Sequence, residues 1–141
     1  MLFRSEVPAF SRSRGGVELA AYGASAALVG TSADLLRIDR ALMSGRLVSK
    51  AQREVLWKGE PSLGFAALGA WSFEAPLAGC KGAVKLVERR GEVDGIQVRN
   101  ILAPDLGRAV VAFTPQGDFD FGEIWQGSGT SYDLASAAFC P

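Results

Sequence analysis

The chain has 141 residues, 48% hydrophobic and 21% charged, with fifteen basic residues balanced by fifteen acidic ones. That length fits one domain with a core worth burying, and the zero net charge leaves no electrostatic footprint for nucleic-acid binding. Histidine is absent, which excludes Ser-His-Asp and Cys-His catalysis within the chain and histidine-ligated zinc.

Residues 1–15 read as an irregular N-terminal segment, with Pro8, Ser11 and Ser13 ahead of Gly15-Gly16. Met1-Leu2-Phe3-Arg4-Ser5 is what a common sequencing-adapter tail encodes in frame, so it is expected to be a scar and not native sequence. Residues 1–14 are polar and basic without an apolar stretch, so no signal peptide is visible. Residues 19–30 are apolar but fall short of the ~20 residues of a membrane span.

The first helix is expected after Thr31-Ser32, with Ser32 as its cap, Asp34 in its first turn and Gly45 as its stop. Leu35, Leu36, Ile38, Ala41 and Leu42 form its apolar face, leaving Arg37, Asp39 and Arg40 to water. A capping box of Ser49 with Gln52 opens a second helix that runs to about Trp57. Both are expected to cover a sheet.

Strands follow Pro61: residues 65–73, with Gly64 and Gly69 marking a bulge, then 84–90, 96–103 and 108–113. Pro104-Asp105-Leu106-Gly107 turns the last two into an antiparallel hairpin. Residues 109–113 are continuously apolar, which predicts a strand either central or covered on both faces. A final helix starts near Thr130-Ser131 and turns Leu134, Ala135, Ala138 and Phe139 inward. The expected fold class is α+β, an antiparallel sheet of three to four strands flanked by helices.

Cys80 and Cys140 form no CxxC motif. A disulfide pinning the C-terminus to the loop before the sheet and a pair of buried thiols stand as equal alternatives. Gly15-Gly16 and Gly127-Ser128-Gly129 lack the context of a phosphate loop and read as hinges. Asp118, Asp120 and Glu123, interleaved with Phe119, Phe121 and Gly122, read as the approach to a helix and not as metal ligands. Trp57, Trp71 and Trp125 read as core.

Three passages, the first of them in two parts, carry a likeness. Ala24-Ser25-Ala26-Ala27-Leu28-Val29-Gly30-Thr31-Ser32-Ala33-Asp34-Leu35-Leu36-Arg37 is followed by Ala41-Leu42-Met43-Ser44-Gly45-Arg46-Leu47-Val48-Ser49. Then come Glu88-Arg89-Arg90-Gly91-Glu92-Val93-Asp94-Gly95 and Ala103-Pro104-Asp105-Leu106-Gly107-Arg108-Ala109-Val110-Val111-Ala112-Phe113-Thr114-Pro115. In this order they resemble passages of the serine β-lactamase-like hydrolases, the family of class C β-lactamases, D-alanyl-D-alanine peptidases and related esterases. The likeness covers roughly residues 20–125 of the sequence.

The family's nucleophile motif S-x-x-K is missing, since Ser49 and Lys50 are adjacent and not one helical turn apart. Y-x-N and S-x-N are missing too: Asn100, the only asparagine, falls in a strand. The resemblance therefore implies a C-terminal part only, with residues 16–141 a partial domain and no catalytic residue of its own. It implies that the intact parent hydrolyses a small-molecule amide or ester through an acyl-enzyme, needs no cofactor, and is a bacterial periplasmic or secreted protein. This chain alone is expected to be inactive, without membrane span, and prone to self-association through exposed sheet. A non-catalytic, stand-alone α+β binding or interaction module is the alternative.

The resemblance also implies a substrate-binding set. Arg89 takes the place of the family's Lys or His, Arg90 that of its Ser/Thr, and Gly91 that of its Gly. Strand alternation puts Arg89 with Lys85 and Val87, and Arg90 with Leu86 and Glu88. Arg89 is thus expected to hold a carboxylate and Gly91 to let a ligand approach the backbone. Arg90 is expected to matter little beyond surface electrostatics. The plainer reading makes Glu88-Arg89-Arg90 a solvated strand end.

Overall fold

The computed structural model describes residues 30–93 and 95–140. The expectations for residues 1–29, including the irregular start and the first half of the Ala24 passage, lie outside these.

Helix α1 spans Ser32–Met43 and α2 spans Lys50–Leu56. Gly45, at φ +81°, supplies the expected stop, and Ser32 is itself the first helical residue. The capping box is present: Ser49 Oγ accepts from the Gln52 amide at 3.3 Å, while Gln52 Oε1 accepts from the Ser49 amide at 2.8 Å. Arg53 ties the two helices together by donating to the carbonyls of Leu42 and Val48.

Five antiparallel strands follow, paired in chain order: β1 (Ala66–Ala67), β2 (Ala70–Pro76), β3 (Ala83–Val93), β4 (Ile96–Ala103) and β5 (Arg108–Thr114). The expected single strand over residues 65–73 is two strands, because Leu68-Gly69 turns the chain back and pairs Ala67 with Ala70. Gly69, at φ +76°, takes the left-handed conformation that the turn needs. The sheet therefore has five strands where three to four were expected.

Helix α3 (Thr130–Phe139) closes one face. Ala135 and Phe139 pack there with Phe73, Ala75, Leu77, Val84, Leu86, Ile101, Ala103 and Ile124 to form the core. Strand β5 lies at the sheet edge and is not central; its apolar run is explained by cover on both faces, from α1 on one and α3 on the other.

Asp39 overturns part of the reading of α1. It is 2% exposed, whereas Ile38, expected on the buried face, is 41% exposed. Asp39 lies in the middle of the inward stripe formed by the half-buried Leu35, Leu36, Leu42 and Met43, and there it meets Asn100 of β4 in a hydrogen bond at 3.0 Å.

Cys80 and Cys140 are joined in a disulfide with 4.9 Å between their Cα atoms, which decides between the two alternatives. Cys80 lies in the connection between β2 and β3, not ahead of the sheet. The neighbouring Gly79, at φ +88°, lies so close to the bridge that a Cβ there would come within 2.6 Å of the Cys140 carbonyl.

Candidate functional site

Strand β3 carries all three residues expected to bind substrate, and its pleat divides them. Leu86, Glu88 and Arg90 point to the face of α3, where register sets Glu88 opposite Trp71 on one side and Ile101 on the other. Arg89 points to the opposite face, shared with α1, and its direct neighbour on β4 is Asn100.

Arg90 is tied down. Its Nη1 donates to Glu123 Oε1 at 2.7 Å and its Nη2 to Glu88 Oε2 at 2.9 Å, with a second bond from Nη2 to Glu123 Oε2. Its guanidinium lies over Trp71 at 5.4 Å and over Trp125 at 5.0 Å. Burial disfavours the charged form of Arg90, but the hydrogen bonds to Glu123 and Glu88 outweigh that and hold its pKa above the ordinary value. Arg99 stacks on Phe121 at 4.7 Å and lies 3.7 Å from Glu88. Its pKa is lowered, first by burial and then by repulsion from Arg90.

Glu88, fully buried, is the anion on which this cluster is built. A buried carboxylate without cations would be costly, and two arginines supply them. The expectation that Arg90 is a surface residue is therefore corrected: it is a structural cation between two glutamates and two tryptophans. Trp125 is 54% exposed, so it is not the core residue expected, while Trp71 packs against the core.

Arg89 differs in every respect. It is exposed, and among the described residues it has no carboxylate within ion-pair distance. Gly91 pairs with Val98, and a Cβ on it would come within 2.8 Å of Val98 Cγ1. Its lack of a side chain thus already serves sheet packing, whatever else it admits.

The other candidates resolve as local structure. Asp120 accepts from the Gly122 amide at 2.7 Å, and Glu123 precedes the 3₁₀ turn Ile124–Gln126. Among the described residues there is no group of three or more His, Cys, Asp or Glu placed to hold a metal ion, and no described helix is long and apolar enough to cross a membrane.

Sequence reasoning missed the partnership of Glu88 and Glu123 around Arg90, and that of Asp39 with Asn100. Alternation next to Leu86 was a signal that Glu88 would be buried and need a cation. Glu123 is 33 residues from Arg90, and no local pattern links them.

No protein-family model matches the chain, and no curated protein or solved structure compared with it matches either.

Proposed function

We propose that this chain is the sheet-bearing, C-terminal part of a β-lactamase-like serine hydrolase, with Arg89 as the residue that holds the carboxylate of an amide or ester substrate. The observation that carries the reading is the freedom of Arg89. An exposed guanidinium on a rigid central strand can take a carboxylate bidentately without first breaking an ion pair. The ordered resemblance of residues 20–125 supports the same assignment. The nucleophile and its lysine are then contributed by residues other than those of this sequence, and the chain alone is inactive.

The alternative, a non-catalytic interaction module, draws on Leu63, Phe65 and Leu68, which are large, apolar and exposed on either side of the short strand β1. Phe65 holds φ +63° there, an uncommon conformation for a bulky residue.

Assaying the purified chain and any longer reading frame that contains it, with a chromogenic β-lactam and a p-nitrophenyl ester, separates the two. The hydrolase reading predicts saturable turnover only in a longer protein that carries S-x-x-K. In that protein Arg89→Ala should cost roughly 1.5–3 kcal/mol in binding a carboxylate-bearing substrate, the range for a hydrogen bond to a charged group. Turnover by the chain alone, or a longer frame without the nucleophile motif, would count against it.

A further inference from the structure

On the face of the sheet opposite α3, where the strands offer mainly Val98, Leu102, Ala109 and Val111, the side chains of Asp39 and Asn100 are buried together. Asp39 is 2% and Asn100 8% exposed. Asn100 Nδ2 donates to Asp39 Oδ1 at 3.0 Å. The remaining two oxygens, Asp39 Oδ2 and Asn100 Oδ1, are both buried and both without a hydrogen-bond partner among the described residues. Two orphan acceptors on one hydrogen-bonded pair lack a proton between them, and an ionised aspartate cannot supply it.

We propose that Asp39 is the neutral acid in the folded protein and donates its proton to Asn100 Oδ1, closing a two-bond acid–amide ring that clasps α1 to the sheet. The ring satisfies all four heteroatoms with one proton and leaves no buried charge. When the proton passes to solvent, one of the two bonds is lost and an anion is left under α1.

No neighbouring charge offers another way to settle the site. On the sheet face, β4 and β5 present no titratable group to Asp39. Strand β3 presents Lys85 and Arg89, and β2 presents Glu74. On the helix itself, Asp34, Arg37 and Arg40 are the nearby charges. None of them forms an ion pair with Asp39 among the described residues. The pKa of Asp39 is accordingly raised by burial, against a smaller lowering by Asn100. A raised folded pKa means that the native state holds a proton the unfolded chain has given up, so stability falls as pH rises above the unfolded value.

The test follows the Asp39 carboxyl carbon by NMR in the intact chain from about pH 3 to about pH 8, with urea unfolding of wild type and Asp39→Asn over the same range. The clasp predicts a titration midpoint well above the ordinary 3.8. It also predicts that the fall in wild-type stability with rising pH is flattened in Asp39→Asn. Amide exchange in α1 should accelerate with pH beyond the change seen in α3, a readout that stands even if the variant does not fold. A midpoint at or below 3.8 would overturn the proposal, as would α1 and α3 exchanging in parallel.

Discussion

Two adjacent arginines on one strand meet opposite surroundings, and the pleat alone parts them. Arg90 neutralises a fully buried carboxylate; Arg89 stands in solvent. This division was legible from alternation, because Leu86 marks the core side and Glu88 and Arg90 follow at steps of two. What could not be read was the fate of Arg90, since that depends on Glu123 arriving from a distant turn and on the stacking of Trp125. The same limit hid the burial of Asp39, whose partner Asn100 is 61 residues away. A glycine makes the sharpest residue-scale prediction. A Cβ on Gly59 would lie 1.9 Å from the carbonyl oxygen of Ser72, which is backbone and cannot swing aside. Gly59→Ala should lower stability by about 1–3 kcal/mol or more, the cost of overpacking, and urea unfolding will measure it. A loss near zero would mean that the connection from α2 to the sheet is free to move.

Among the elements, the helices and the last hairpin were the most legible. Ser49 with Gln52 is a sequence-local signal, and the geometry it predicts is present. Pro104 and Gly107 likewise act within four residues, and the turn they predicted joins β4 to β5. The division of residues 65–73 into β1 and β2 was less legible, because an interior glycine marks a bulge as readily as a turn. The disulfide fastens α3 to the connection between β2 and β3 across 60 residues of chain. Loop-closure entropy for a ring of that size gives about 4 kcal/mol of stabilisation. Thermal unfolding with and without a reducing agent should therefore show a large drop in midpoint on reduction. An unchanged midpoint would show that packing of Phe139 and Ala135 alone holds α3 in place.

At the scale of the whole molecule, the two edges of the sheet formed by the described residues are unequal. At one end β1 is two residues long and flanked by turns, a blunt edge. At the other, β5 is seven residues long, apolar, and free of proline and bulges, with Phe113 66% exposed. Long apolar edges invite pairing with another chain, so the chain should self-associate in sedimentation at rising concentration, and Phe113→Lys should weaken the association. A clean monomer at high concentration would contradict this. The central claim is that Arg90 belongs to the fold and that Arg89 does not, which leaves Arg89 free for the site proposed above. Urea unfolding of Arg89→Ala and Arg90→Ala side by side tests it most directly. Removing Arg90 leaves Glu88 as a buried, underpaired charge and should cost about 3–5 kcal/mol, whereas Arg89→Ala should stay within about 0.5 kcal/mol of wild type. Equal losses, or a larger loss for Arg89→Ala, would contradict the account.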